Sequence, residues 1–425
     1  MIFEEMKYPE RKDAFLRRCR EAVNSDPAEV EAMAAYILTD RFDADLQRLT
    51  EGDWYFEPPN LILLRKGKSQ KRRKVYSFTD ENRILLQYLA FMLLNRYDDR
   101  LPDSLYSSRK NKPYWQMYRT VRKSDPHREK YVIKADIHKF GESIDPEILD
   151  RTLEQWLSDE PEVRRFIMWL VTRNVYRRKG KLEKGFTSVL PGNPTVAFLE
   201  NIFLTDIDRF MAENVRICSR YCDDIFMLCE DAGTAERLMN ELRERIALFG
   251  LSLNEEKSGV VLPGEAFDLL GIRFTPNAMD IADNTYAKAC GRMKHRADKI
   301  CHSVKEGRFT REKGVELMAM HIHEYFYGPG EEDWVSWTDR FFPYITTTER
   351  LKRLDHLSQE CLRYVATGRR TNAKYRCRYP EIRETGYVPL VRAYYSRLEK
   401  RNEEQRGPKR IQMDEKACKN AQKMG

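Results

Sequence analysis

The chain has 425 residues, with 75 lysines and arginines against 67 aspartates and glutamates and a formal net charge of +8. This length exceeds the usual size of a single core, so we expect two or more subdomains. We expect no membrane span, because no apolar run approaches the roughly 20 residues needed, and no signal peptide, because Glu4 and Glu5 come too early. Nine cysteines without a Cys-x-x-Cys pair favour free thiols in a reducing cytoplasm. These expectations argue against membrane proteins and disulfide-rich secreted proteins.

The sequence predicts alternating helical and β-rich segments, and Asp26-Pro27 marks a clear helix start. In chain order we expect helices over 8–50, strands over 55–80, an amphipathic helix over 80–97, helices over 145–180, alternating strands and helices to 274 with a helix over 233–250, and helices again beyond 283.

The densest positive run lies between two β-like segments. Residues 65–74 contain seven basic residues in ten. Such charge suits a triphosphate or a nucleic-acid backbone. A solvated basic loop is the alternative.

Tyr221-Cys222-Asp223-Asp224 lies between two apolar runs, which predicts two short strands joined by a tight turn. Adjacent carboxylates repel each other, and a divalent cation removes that cost. Mg²⁺ prefers hard oxygen ligands and commonly uses one or two protein carboxylates together with substrate phosphates. An ordinary Asp-Asp turn is the alternative.

A third carboxylate, Asp136, ends the β-rich run 131–137. Together with Asp223 it is suited to bridging two metal ions, as in-line attack on an α-phosphate requires. Asp224 either ligates or supports the turn. Asp145 is better explained as the N-cap of a helix that begins at Pro146.

Over roughly residues 60–275 the order of these motifs resembles the reverse transcriptases. Tyr221 to Asp224 is similar to their Tyr-x-Asp-Asp box, and Asp136 falls on the metal aspartate of their first palm motif. The resemblance implies an α+β right-hand polymerase fold. It also implies RNA-directed DNA synthesis from dNTPs, with two Mg²⁺ ions bound by Asp136, Asp223 and Asp224. In the segment 253–257, Lys257 matches the lysine that protonates the pyrophosphate leaving group.

The resemblance also implies residues that contact the substrates. For nucleotide binding they are Lys66, Arg73, Phe140, Gly141 and Gly192. For nucleic-acid binding they are Arg109, Asn201, Tyr221 and the Leu270-Gly271 turn of a primer-gripping hairpin, to which we add Arg369 and Arg370 of a basic, aromatic C-terminal stretch.

Two departures from the family pattern concern the substrate pocket. The second motif is Leu190-Pro191-Gly192 and lacks the usual glutamine and Ser-Pro pair. Five residues after Asp136, where the family usually carries the aromatic ring that excludes a ribose 2′-hydroxyl, this chain has Gly141. Either the loop is re-registered, or Phe140 takes the role, or sugar discrimination is relaxed.

The resemblance divides the chain into N-terminal helices and fingers (1–127), palm (128–282, with fingers helices at 146–185), and a helical thumb with a basic extension (283–425). Within the family, the chain resembles the bacterial defence-associated (unknown-group) enzymes, of the second type, and more distantly the retron and group II intron enzymes. A defence enzyme implies a cognate structured non-coding RNA as template, a cDNA product and a role against phage. The alternatives are an abortive-infection-type polymerase that is protein-primed and untemplated, and a catalytically silent RNA-binding scaffold. Whether the chain forms a homo-oligomer is left open.

Overall fold

The computed structural model describes residues 1–21, 26–65, 72–110, 112–127, 129–173, 175–185, 189, 191–328 and 336–401. These residues belong to two compact units, Met1–Phe267 and Asp268–Gly425. Both units combine helices with mainly antiparallel sheets, so the expected α+β class is confirmed. Within the ranges given above, no helix is both long and apolar enough to cross a bilayer.

The helices are α1 Ile2–Glu5, α2 Pro9–Arg20, α3 Pro27–Ile37, α4 Asp40–Glu51, α5 Asp80–Tyr97, α6 Trp115–Lys123, α7 Phe140–Ser143, α8 Pro146–Trp156, α9 Pro161–Thr172, α10 Val196–Phe203, α11 Thr205–Asn214, α12 Ala232–Leu248, α13 Asp283–Lys305, α14 Arg311–Tyr327, α15 Trp337–Phe341, α16 Glu349–Thr367 and α17 Tyr379–Glu384. Short 3-10 helices span Asp98–Arg100 and Ala373–Tyr375, and the chain is helical again over 390–401. The strands are β1 Asn60–Arg65, β2 Arg72–Ser77, β3 Tyr131–Asp136, β4 Val175–Arg178, β5 Lys181–Lys184, β6 Ile217–Tyr221, β7 Asp224–Cys229, β8 Gly259–Val261, β9 Phe267–Leu269, β10 Ile272–Thr275 and β11 Ala278–Ile281.

The helix start predicted at Asp26 is confirmed, since its carboxylate accepts a hydrogen bond from the backbone N–H of Ala28 at 3.0 Å. The predicted amphipathic character of α5 is wrong. Consecutive residues Leu85 and Leu86 are buried, as are Tyr88 and Leu89. A helix buried on most of its circumference is apolar nearly all round, so α5 is a central core helix rather than a half-exposed one.

The first sheet has the strand order β2-β1-β4-β5, and β1 and β2 contain Arg65 and 72–74, the two ends of the basic segment. The helices predicted over 145–180 end earlier than expected. Helix α9 stops at Thr172, and β4 and β5 form a hairpin. Lys179 and Gly180 make its two-residue turn with φ values of 49° and 80°, the left-handed conformation that favours such hairpins.

The second sheet has the order β6-β7-β3-β8 and positions the acidic residues. Strand β7 is buried from Ile225 to Cys229, so both of its faces are covered. Helix α12 packs against β3. The predicted hairpin at Cys222-Asp223 is confirmed, because β6 and β7 pair as antiparallel neighbours with Tyr221 opposite Asp224.

The second unit begins within β9 and continues with β10 and β11, followed by α13, α14 and α16, which pack on one another. The unit starts at Asp268, before the thumb boundary predicted at 283, because the sheet bonds to the chain that follows. The backbone N–H of Met279 donates to the hydroxyl of Thr346 at 2.8 Å. The division after residue 282 into functional domains stays a prediction.

Candidate active site

Strand register brings the three predicted aspartates together at one end of the second sheet. Asp136 at the end of β3 lies directly opposite Asp224 at the start of β7. Asp223 occupies the adjoining turn, where its carbonyl oxygen accepts a hydrogen bond from the N–H of Ile137 at 3.2 Å. Cys222 adopts a φ of 54°, which allows the two-residue turn. The hairpin therefore holds an Asp-Asp pair against a third carboxylate.

The loop before β8 fixes the Asp136 carboxylate. Lys257 Nζ lies 2.7 Å from Asp136 Oδ1, and Asn254 Nδ2 donates to Oδ2 at 3.1 Å. The N–H of Asp136 donates to Ser258 Oγ at 3.0 Å. The Asp136 side chain is 13% exposed and that of Lys257 59%, so the pair lies at the rim of the site and opens toward solvent.

The carboxylates perturb one another electrostatically. Burial, followed by the negative charge of Asp223, raises the pKa of Asp224 to about 6. Lys134 opposes this shift, and Asp136 adds a smaller raising effect that Lys257 in turn opposes. Burial alone would lower the pKa of Lys257, but its hydrogen bond to Asp136 and the surrounding carboxylates raise that pKa overall. The site therefore accumulates negative charge that a cation would neutralise.

The donor set fits a hard divalent cation such as Mg²⁺, since it consists of carboxylate oxygens at a partly open edge. Within the ranges given above, no three His, Cys, Asp or Glu side chains converge as a finished metal cluster. Instead, the ammonium group of Lys257 is paired with Asp136 at 2.7 Å. Mg²⁺ would therefore compete with Lys257 for the Asp136 carboxylate.

A buried ion pair that sequence reasoning missed supports the hairpin from below. Arg220 on β6 and Asp208 on α11 are both fully buried and form two hydrogen bonds of 2.6 and 2.8 Å. Arg220 Nη1 also donates to the carbonyl oxygen of Cys222 at 3.3 Å. This fork ties the turn that carries Asp223 to a core helix. An arginine inside an apolar strand was the only signal in the sequence.

Arg109 and Asn201, predicted to touch nucleic acid, are held inside the protein. Arg109 Nε donates to Asp98 at 2.8 Å, and its terminal nitrogens donate to backbone carbonyls. Asn201 is 1% exposed and exchanges hydrogen bonds with Ser107 at 2.8 Å. This placement favours a supporting role for both residues over direct contact with a nucleic-acid strand.

The glycine loop before α10 lies against the first sheet. The N–H of Tyr76 on β2 donates to the carbonyl oxygen of Pro191 at 2.8 Å. At Gly192, with a φ of 105°, a Cβ atom would collide with the carbonyl oxygen of Tyr76 and lie 3.1 Å from Val75 Cγ1. Only glycine allows this approach.

Two of the predicted triphosphate ligands have little or no described structure. Lys66 lies outside the described residues, and the structure describes the backbone of Arg73 in β2 without its side chain. Both assignments stay predictions.

The adjacent residues Phe140 and Gly141 lie in different environments. Phe140 is 4% exposed, and its ring centroid lies 6.3 Å from that of Phe203 in the core. Burial leaves Phe140 poorly placed to face a bound nucleotide. Gly141 lies beside the carboxylate of Glu200, because an ideal Cβ on this glycine would be 2.8 Å from Glu200 Oε1.

Sequence reasoning also missed an aromatic group around Tyr221. The Tyr221 ring meets Tyr114 edge to face at a centroid distance of 6.0 Å, and Tyr114 meets Tyr118 at 5.8 Å. Helix α6 begins beside this group, and its Trp115 stacks with Arg119 at 4.7 Å. Tyr118 is buried, whereas Tyr114, Trp115 and Tyr221 are partly exposed and suit base stacking close to the aspartates.

In the second unit, the Leu270-Gly271 turn joins β9 to β10 with φ values of 45° and 92°. Arg369 is exposed. Arg370 pairs with Asp298 and lies over the Tyr364 ring, with its guanidinium carbon 4.5 Å from the ring centroid. Of the two arginines, Arg369 is therefore the better candidate to bind a phosphate.

Residues 64–274 match the protein family described as reverse transcriptase (RNA-dependent DNA polymerase). No curated protein matches the sequence significantly. Among solved structures, this chain is similar to apo telomerase from Candida tropicalis truncated from its C-terminal domain, with 10% identity and a TM-score of 0.42. That similarity covers 56% of this chain and 59% of the telomerase chain, which is less than two thirds of its length. The chain therefore carries, over residues 64–274, a reverse transcriptase domain, the nucleotidyltransferase domain of RNA-directed DNA polymerases.

Proposed function

We propose that this protein copies RNA into DNA by two-metal nucleotidyl transfer. The observation that carries the proposal is the register of β3, β6 and β7, which gathers Asp136, Asp223 and Asp224 at one sheet edge inside the reverse transcriptase domain. These carboxylates would hold two Mg²⁺ ions, which when bound supply activation of the primer 3′-hydroxyl and neutralisation of the triphosphate charge.

Lys257 is the proposed proton donor. Its raised pKa, which the hydrogen bond to Asp136 and the neighbouring carboxylates maintain against burial, keeps the ammonium charged at neutral pH. It is also largely exposed at the rim of the site, within reach of a leaving group. A charged donor at this position neutralises the pyrophosphate as the bond to the α-phosphate breaks.

The incoming dNTP is proposed to lie between the acidic edge and the first sheet. Contact between Pro191 and Tyr76 brings β2 to the glycine loop, and the basic segment that begins at Arg65 adjoins β2. In this proposal Arg73 and Lys66 bind the triphosphate, and Gly192 lets the loop backbone approach the nucleotide.

The proposed template is a cognate structured non-coding RNA, and the proposed role is antiphage defence. Sequence resemblance to defence-associated enzymes supports both assignments. In the second unit, α13 exposes basic side chains suited to phosphates. Arg369 is exposed, and Lys374 lies over the exposed Tyr375 ring. The Leu270-Gly271 hairpin is proposed to grip the primer end.

The test is to sequence the nucleic acid that co-purifies with the protein from cells. We would compare wild type with Asp223→Ala/Asp224→Ala, and use Glu236→Gln on the exposed face of α12 as a matched control. One abundant small RNA in all samples, with complementary DNA only in wild type and control, supports the proposal. DNA without a matching RNA contradicts templated copying, and RNA without DNA in any sample contradicts constitutive cDNA synthesis.

A further inference from the structure

Glu200 takes up the space in which a side chain at position 141 would lie. Helix α7 holds Gly141 without a left-handed φ, so its backbone accepts any L residue. The obstacle is steric. An ideal Cβ would lie 2.8 Å from Glu200 Oε1, and the next neighbour, the carbonyl oxygen of Val189, is 3.9 Å away. One carboxylate oxygen of Glu200 therefore occupies the position next to the Gly141 Cα that a Cβ would need.

Glu200 lies close to the catalytic turn. Arg220 Nη1 donates a hydrogen bond to the carbonyl oxygen of Cys222 at 3.3 Å. The backbone of Glu200 is also tied to this turn, since Arg220 Nη1 donates to its carbonyl oxygen at 3.4 Å. Helix α10 thus directs Glu200 into the space between α7 and the turn.

This position matters for the sugar of a bound nucleotide. The aspartates engage the α-phosphate in the proposed reaction, and the sugar is attached to that phosphate through one oxygen and one carbon. The sugar must therefore lie within a few ångströms of the acidic edge. Glu200 lies beside Gly141, five residues after Asp136, and Arg220 connects its backbone to the turn that carries Asp223.

We propose that Glu200 is the residue that selects deoxyribose over ribose, by filling the volume that a 2′-hydroxyl would need. The inference rests on the proposed function, because it assumes nucleotide binding at the aspartates. In this proposal the Glu200 side chain excludes a ribose by occupying space, and it makes no specific contact with the sugar. A side chain pressed against the Gly141 backbone can retreat only by turning away from it, whereas a deoxyribose fits without any movement.

The test measures kcat/KM for dCTP and for CTP opposite a template guanine, on a defined RNA annealed to a DNA primer. The ratio of the two values is independent of the fraction of active protein, so partial misfolding of a variant does not affect it. Wild type would be compared with Glu200→Ala, with the isosteric Glu200→Gln, and with Gly141→Val/Glu200→Ala, which refills the emptied volume from the other side.

We expect Glu200→Ala to lower the preference for dCTP by about tenfold or more, in line with the discrimination that a small group in a shaped pocket provides. Glu200→Gln should keep the wild-type ratio, and the double variant should regain part of it. An unchanged ratio in Glu200→Ala overturns the inference while leaving the proposed function intact. Poorer use of CTP by Glu200→Ala also overturns it, since the carboxylate would then be recognising the 2′-hydroxyl. A wild-type protein that incorporates neither nucleotide would overturn the proposed function itself, and the inference with it.

Discussion

Replacing Asp224 with asparagine should stabilise the metal-free protein at neutral pH. Burial and the charge of Asp223 raise the pKa of Asp224 from its ordinary value of 3.8 to about 6. The folded protein therefore binds this proton more tightly than the unfolded chain does, and ionised Asp224 weakens the fold. The difference between the two pKa values corresponds to a loss of about 3 kcal/mol in the free energy of unfolding, at about 1.4 kcal/mol for each pH unit.

The direction of the pKa shift fixes the pH range in which Asp224 destabilises the protein. The destabilisation is fully present above pH 6 and is lost as the pH falls toward 3.8, because Asp224 is then protonated in both states. We would measure the free energy of unfolding by urea titration in EDTA at several pH values between 4 and 8. The free energy of unfolding of Asp224→Asn should exceed that of wild type by up to about 3 kcal/mol at pH 8, and by much less at pH 4. Glu236→Gln, on the exposed face of α12, is the control and should show no such dependence.

A pH-independent difference between Asp224→Asn and wild type would refute this reasoning. A loss of stability in the variant at pH 8 would do so even more directly. The first result would mean that ionised Asp224 does not weaken the metal-free fold, and the second that its surroundings stabilise it. In either case the site would have no excess negative charge for a cation to neutralise.

Three further substitutions test the supports of the site. Arg220→Met should lower the free energy of unfolding by about 3–5 kcal/mol in urea titration, because it leaves the charge of Asp208 buried without a partner. Adding Asp208→Leu should recover most of that stability, and an equal loss of stability in the single and double variants would contradict this reasoning. Gly192→Ala should raise KM for dNTPs, because the added methyl group would displace β2. The control is Gly180→Ala, at a glycine that also has a positive φ but no neighbour within 4 Å, and it should leave KM unchanged. Similar KM values for the two variants would refute the close approach of Gly192 to β2. Lys257→Met should tighten Mg²⁺ binding in calorimetry and lower kcat by about 100-fold or more, and weaker Mg²⁺ binding would show that the lysine does not compete for the site.

The acidic edge of the site could be predicted because its signals are local. Apolar runs on both sides of Asp223 indicate a hairpin, and a β-rich run that ends at Asp136 indicates a strand with a terminal carboxylate. The sequence does not show how the strands of the second sheet align with one another. The pairing of Asp136 with Asp224 is set by how β3 and β7 align, which depends on long-range packing of the sheet.

Other features were missed for identifiable physical reasons. The β4–β5 hairpin lies where the sequence analysis predicts the end of a helix, although Lys179-Gly180 carries a recognisable two-residue turn signal. The partner of Arg220 could not be chosen from sequence, because many acidic residues are available and burial decides among them. The neighbour of Gly141 was equally hidden, since Glu200 reaches it from a helix far along the chain.

The most direct test of the central proposal is template-directed incorporation by the purified protein. A defined RNA with an annealed DNA primer would be given Mg²⁺ and one dNTP at a time, for wild type and for Asp223→Asn. We expect wild type to add only the nucleotide complementary to the next RNA base, and the variant to add none. Addition of any dNTP irrespective of the template, or equal activity in the variant, would contradict RNA-directed synthesis at these aspartates.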